Sequence, residues 1–444
     1  MKKLLALVLA LMLVLLTSCE MFVPAPPESQ RPDFGLPSLP AGTKDPAPTQ
    51  TADPTADEYG FTIFPEGNYL ANPKFDTDEF LPDYDSDPSF LQFLGTYHRG
   101  LTQTNQTIYS FCQNKENDII MYTDKSTGIS GPLCGKPECL HSDDTCNAYV
   151  DGYCDGLDVY QGKLYWIDAS LKIRRMNLDG TDRETVNELD YRECNSNRNN
   201  PTTVFHRGYA YFAESNHAAV INGEVAATVT IKAVPVDGGD PFTVMERAVD
   251  GQGPSCLIRL IANDLYIMVY SFNYSDPKNQ SGTFSTIELY KWDSKTRRAE
   301  CLANLKSNDV GIQFEGREFW PVPGDGIYIQ GSYFTETDSG IQGGFGVCKY
   351  SFASGMLEEL PPFEYSIFPG FTRNYVIVDD NNVVFAYDYD GRLAFRSESL
   401  EEHPLLALMG ADDAFIYYYC YAFSEGTAYF IAVPLDGGEI IAIG

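Results

Sequence analysis

The chain has 444 residues, enough for one large domain or two medium ones. Acidic residues number 62 against 31 basic, a formal charge of −31 that repels nucleic acid and anionic headgroups and so excludes a nucleic-acid role. Aromatics at 13%, with Tyr and Phe far above Trp, exclude a disordered body and favour strands.

In chain order, Met1-Lys2-Lys3 precedes an apolar run, Leu4 to Leu16, that ends in Thr17-Ser18-Cys19. A basic start, a short apolar core and small residues at the end predict a secretory signal peptide over 1–18. The run is short for a membrane span. The Leu16-Thr17-Ser18-Cys19 ending resembles the lipobox of bacterial lipoproteins. That resemblance implies cleavage before Cys19, acyl chains on it, and a protein facing outside the cytoplasm and tethered to a membrane by its N-terminal lipid.

Residues 19–57 read as a tether. Pro24, Pro26, Pro27, Pro32, Pro37, Pro40, Pro46, Pro48 and Pro54 recur among small and polar residues with no helical or strand period. Proline fixes φ and removes a donor, so the segment stays extended, with a reach on the order of 100 Å. Residues 58–95 form an irregular lead-in. Within it Asp83, Asp85 and Asp87 alternate like the start of a calcium loop. Pro88 stands where such a loop needs its turn glycine, and Leu94 where it needs its bidentate Glu, so the lead-in is read as solvated.

From residue 96 to 444 a strand-turn unit recurs. Its clearest copy has strands at 157–160, 164–168 and 172–178, then Asp179-Gly180 and a short strand near 184–186. Asp-Gly after a β run is a hairpin signal because glycine accepts positive φ. Degenerate copies cover 107–130, 204–244, 265–293, 326–352, 382–387 and 414–438. About seven units, roughly 40 to 60 residues apart, predict an all-β fold, a β-propeller of about seven blades (six to eight). Two β-sandwiches are the alternative. Ring closure is expected from strands near 91–110 pairing with the last blade. Leu164-Tyr165-Trp166-Ile167-Asp168 resembles the YWTD blade of low-density-lipoprotein-receptor-type propellers, with Ile167 where that family has Thr. The whole set is similar to propeller domains of bacterial surface lipoproteins. The resemblance implies a binding module and carries no catalytic residues.

Cys134, Cys139, His141 and Cys146 lie within thirteen residues on a Gly/Pro-containing loop. Three thiols and an imidazole are a tetrahedral zinc set, which would close the site and make the ion structural. An exported protein also tends to oxidise its thiols, and ten cysteines remain once Cys19 is set aside, so a disulfide-stapled loop that includes Cys154 stands beside the metal reading.

No catalytic signature is present: no Gly-x-Ser-x-Gly, no His-Glu-x-x-His and no phosphate-binding glycine loop. The acidic pairs Asp379-Asp380 and Asp388/Asp390 sit beside turn signals. Aromatic residues alternating within strands, as in 415–423, are expected to pack between blades. Aromatic residues in the long connections, Tyr274 within 272–282 and Phe334 within 333–344, are the binding-loop candidates. The favoured function is non-catalytic binding of a protein, peptide or glycan at one face of the ring. The alternatives are a surface hydrolase acting on polysaccharide or peptidoglycan, and an envelope-assembly scaffold.

Overall fold

The computed structural model describes residues 56–65 and, with short interruptions, 100–443. The signal segment, most of the tether and the 83–88 acidic run lie outside the described residues, as do Cys19 and Cys154. The described residues contain twenty-nine strands in seven sheets. Each sheet is an antiparallel meander of consecutive strands, so every blade comes from one stretch of chain: 101–150, 155–188, 202–249, 252–306, 313–359, 370–396 and 405–443. These are blades 1 to 7 of a β-propeller.

The period-two geometry of a strand explains how blades stack. In Lys163–Ile167 of blade 2, Leu164 and Trp166 join the cluster shared with blade 1, which includes Tyr109, Phe111 and Ile120. Tyr165 and Ile167 join the cluster shared with blade 3, which includes Phe205, Phe212 and Val234. Successive side chains point to opposite faces of a sheet, and a blade in a ring is covered on both. Continuous apolar runs therefore replace the alternation of a one-sided sheet. The aromatic run of blade 7 obeys the same rule: Tyr417, Tyr418 and Tyr419 are all buried.

The ring closes without a shared strand among the described residues. Leu101–Gln103 pairs with Thr107–Gln113 of its own blade, and all four strands of blade 7 come from 405–443. The expected pairing with the last blade is not made by residues 101–110, and residues 91–99 lie outside the described residues. Closure rests on side chains: Leu101 and Ile108 of blade 1 pack with Met409, Tyr417, Tyr419, Phe430 and Ile443 of blade 7. The Tyr417 hydroxyl donates to Gln103 Oε1 at 2.8 Å.

Part of the lead-in is ordered against the ring. Ala56 bridges Thr62, and Phe61 bridges Met245 on the outer strand of blade 3. Thr62 N donates to Val244 O at 3.0 Å, and Glu246 N to Gly60 O at 3.0 Å. Phe61 is buried beside Tyr290 of blade 4. Gly60 has φ +83°, and a Cβ there would lie 2.7 Å from Glu246 O, so this contact demands glycine. The chain after the tether is clasped at the rim where blades 3 and 4 meet.

Candidate metal centre and binding face

The cysteine–histidine loop is an excursion in the outer strand of blade 1. That strand is split into Ser130–Pro132 and Tyr149–Val150, and both pieces pair with Asp118–Asp124. Both ends of the excursion are pinned to one residue: Leu133 N donates to Ile120 O and Ile120 N donates to Ala148 O, each at 2.8 Å. Inside the loop, turns bring its ligands inward. Cys139 N donates to Lys136 O at 3.1 Å, and Cys146 N to Asp143 O at 3.0 Å. His141 has φ +55°, a left-handed backbone that costs energy in a non-glycine residue and recurs at functional sites.

The ligand atoms of Cys134, Cys139, His141 and Cys146 all lie within 4.8 Å of one another, and His141 Nδ1 is 3.1 Å from Cys146 Sγ. Zn–S bonds of about 2.3 Å in a tetrahedron place sulfurs about 3.8 Å apart, so the set needs only slight contraction around an ion. All three cysteines are free thiols. The four side chains are thus placed to hold one metal ion.

The surroundings of the sulfurs are unequal. Burial opposes ionisation of Cys134, but backbone N–H groups of Lys136 and Asn147, with the neighbouring thiols, outweigh it and hold its pKa below the ordinary thiol value. Burial pushes the Cys146 thiol up to about 12, and its hydrogen bonds with Cys139 and Cys134 add to the rise. Thiols packed this closely resist joint ionisation until a cation supplies the compensating charge.

Blade 2 buttresses the loop. Asn147 Nδ2 donates to Gly180 O, Arg183 Nη2 donates to Asp144 O at 2.8 Å, and the Tyr109 hydroxyl donates to Leu178 O at 3.1 Å. Gly180 has φ +79°, and a Cβ on it would lie 2.4 Å from Leu133 O. The Asp179-Gly180 signal therefore serves the turn of blade 2 and the close approach of the blade 1 loop together.

The second feature is a face. Strands two and three of blade 2, Lys163–Ile167 and Lys172–Asn177, have 5 and 6 residues, and those of blade 6 have 5 each. The equivalents in blades 3, 4 and 5 have 12 or 13: Tyr209–Ile221 with Glu224–Pro235, Asp264–Asp276 with Ser281–Asp293, and Gly326–Thr337 with Gly340–Ser351. Their innermost strands pair only with the first part of each hairpin, up to Ala213, Phe272 and Ser332. Beyond those points the hairpins run on as ribbons, to Ile221, Asp276 and Thr337, which at roughly 3.3 Å per residue is a further ~13 to ~26 Å. Every blade runs its meander in the same sense, so the three ribbons rise from one face on three adjacent blades.

Tyr274 and Phe334 lie on these ribbons. The sequence places them in loops; the structure corrects this, pairing Tyr274 with Thr283 and Phe334 with Gly343 in regular antiparallel register. Tyr274 stacks edge-on with Phe272, ring centroids 5.9 Å apart. The ribbon of blade 3 was not legible as a projection, although Asn222-Gly223 between two apolar runs is a hairpin signal.

The acidic pairs do not converge. Asp388 Oδ1 accepts from Asp390 N and Arg392 N and so organises a turn. Asp379 accepts from the Tyr418 hydroxyl at 3.4 Å, with burial pushing its pKa up. His206 Nε2 lies 2.8 Å from Ser294 Oγ, but both residues are buried in the packing of blades 3 and 4. Large exposed apolar side chains (Ile63, Ile129, Leu140, Met356 and Leu393) fall in separate segments and form no broad patch among the described residues.

No family model and no curated protein matches the chain. Among solved structures, a puromycin-hydrolysing peptidase of Mycobacterium tuberculosis is similar over 81% of this chain, at 11% identity and a TM-score of 0.45. The chain spans only 56% of that peptidase's length. The β-propeller domain of the Trilobed protease from Pyrococcus furiosus is 11% identical over 78% of this chain and 97% of its own, with a TM-score of 0.42. BamB from Moraxella catarrhalis is 12% identical over 74% of this chain and 83% of its own, with a TM-score of 0.36. Likeness at this level says nothing about chemistry, and the assignment of seven blades rests on the strand order itself.

Proposed function

We propose that this protein is a lipid-anchored, extracytoplasmic interaction module that binds a protein partner on the face carrying the three ribbons. The ribbons of blades 3, 4 and 5 are the observation that carries the reading. They are ordered backbone beyond what the ring needs to bury its core, they sit side by side, and rigid projections on a scaffold are where recognition collects. Their charged residues are few and mostly acidic, like the chain's: Glu214 and Glu224 on the first, Asp276 and Lys278 on the second, Glu336 and Asp338 on the third.

In this reading acylated Cys19 fixes the chain to a membrane, the Pro-rich tether lifts the ring clear of it, and zinc held by Cys134, Cys139, His141 and Cys146 clips the rim of blade 1. The zinc is structural, since four protein ligands leave no open position. The YWTD-like strand of blade 2 fits a non-catalytic module.

Shortening the ribbons tests the binding face. Cutting each one back to the pairs Ala219–Ala226, Phe272–Ser285 and Ser332–Phe345, and closing it with Asn-Gly, leaves the four-stranded blades whole. The shortened protein is expected to keep its thermal midpoint and to run alone in size-exclusion chromatography with light scattering, where the solubilised wild type runs as a complex. Retention of the complex by the shortened protein would place binding elsewhere. For the clip, intact mass under native conditions is expected to show one zinc per chain, lost on Cys134→Ser. Two hydrogens missing per bridge with no metal would make it a disulfide loop instead.

A further inference from the structure

A cavity of about 150 Å³ lies where the metal-binding loop of blade 1 meets blade 2. Its walls combine Tyr149 and Val150 from the end of the loop with Trp166, Asp168, Arg174 and Arg183 from blade 2. Trp166 is buried at 1% exposure, and its indole N–H has no hydrogen-bond partner among the described residues. A buried donor left unsatisfied costs about 1–3 kcal/mol and calls for an acceptor that the protein itself does not supply.

The two arginines are held differently. Arg174 Nε donates to Asp168 Oδ2 at 2.6 Å. Asp168 is saturated, since Oδ1 also accepts from Ser170 N at 2.9 Å and Lys172 N at 3.0 Å. Arg183 donates to two backbone carbonyls, Asp144 O and Tyr149 O, and meets no carboxylate at ion-pair distance among the described residues. Burial and the nearby Arg174 charge both push the Arg183 pKa down. Asp144 and Asp168 attract it from a distance, but no carboxylate among the described residues closes an ion pair with it. Asp144 also lines the cavity but is exposed, so water screens its charge.

We propose that this cavity binds a small organic carboxylate with a short apolar body. The carboxylate takes the free donors of Arg183 and the indole N–H of Trp166, and it offsets the repulsion between Arg174 and Arg183. The apolar body lies against Val150 and the ring of Trp166, both almost fully buried. An inorganic oxyanion would leave those apolar walls uncovered. The site is independent of the ribbon face and lies on the rim.

Calorimetric titration of the full chain, purified in detergent, with n-butyrate and separately with inorganic phosphate tests this. Butyrate is expected to bind once per chain with Kd of about 1 mM or tighter, and phosphate far more weakly. Arg183→Gln should weaken butyrate at least tenfold. Because Arg183 also braces the loop, Trp166→Phe is the second variant: it removes the donor together with one ring of the indole, lowers the ligand-free thermal midpoint by a few degrees, and should weaken butyrate severalfold when titrated well below that midpoint. Absence of saturable butyrate binding, or binding that neither substitution alters, overturns the proposal. Tighter binding of phosphate than of butyrate overturns the assignment to an organic carboxylate.

Discussion

At the scale of single residues, six of the 62 acidic side chains do turn chemistry. Asp124, Asp143, Asp179, Asp293, Asp388 and Asp436 each accept hydrogen bonds from backbone N–H groups two to four residues on. These are Asx turns, which hold the tight connections between strands. Hydroxyls and N–H groups of Ser126, Thr127, Thr145 and Thr181 hold the pKa values of Asp124, Asp143 and Asp179 below the usual carboxylate range. Asp158 is the opposite case. It is on the innermost strand of blade 2, Thr102 Oγ1 of blade 1 donates to its Oδ1 at 3.2 Å, and burial pushes its carboxyl up to about 7. A raised folded-state pKa means the folded protein binds this proton more tightly than the unfolded chain. The Asp158 contribution is therefore intact below about pH 4, is lost progressively as pH rises toward 7, and stays lost above that. Asp158→Asn is expected to raise the thermal midpoint by several degrees at pH 8 and to leave it close to wild type at pH 4. Parallel curves of midpoint against pH would show that Asp158 is solvated in the folded state. The sequence could not single out Asp158, because its enclosure comes from a neighbouring blade.

At the scale of elements, the cysteine–histidine loop and the ribbons differ in how far the sequence revealed them. The four ligands of the loop were legible because they are close in sequence, and a short turn-rich segment can converge on itself without distant help. Its place at the outer edge of blade 1, its pinning to Ile120 and its buttress from blade 2 were not legible, since each depends on contacts between separate blades. Gly180 ties these together. Gly180→Ala forces both an unfavourable positive φ and a collision with Leu133 O, and is expected to cost about 1–3 kcal/mol in urea unfolding. In protein loaded with zinc it should also weaken zinc retention against a chelator, whereas Gly162→Ala, whose Cβ meets open space, should leave that retention unchanged. Equal zinc retention in wild type and Gly180→Ala would separate the clip from its buttress. For the ribbons, the sequence marked Tyr274 and Phe334 as lying in long connections but missed that the connections are strands. Gly, Ser and Asn interrupt the apolar period there, while backbone pairing across the hairpin persists without it.

At the scale of the whole molecule, the count of seven units was readable from recurring Tyr-rich strands and Asp-Gly turns, because each blade is a local meander. Ring closure was not, because nothing in sequence distinguishes a shared strand from packing of side chains. The seam between blades 7 and 1 depends on an apolar cluster and on the bond from Tyr417 to Gln103. Tyr417→Phe is expected to cost about 1 kcal/mol and Tyr417→Ala about 3–5 kcal/mol in urea unfolding. Amide exchange should speed up first in 101–110 and 415–432, and exchange that rises uniformly in all blades would show that the seam is no weaker than the rest. The clasp of residues 56–65 lies on blades 3 and 4, two of the blades that carry the ribbons. Binding at the ribbon face is the central claim, and site-specific photo-crosslinking in intact cells tests it most directly. With a photoreactive residue in place of Tyr274 or Phe334, one discrete protein adduct is predicted, and none with the same residue at Asp436 in a turn of the opposite face. Adducts from Asp436 alone, or equally from all three positions, would contradict it.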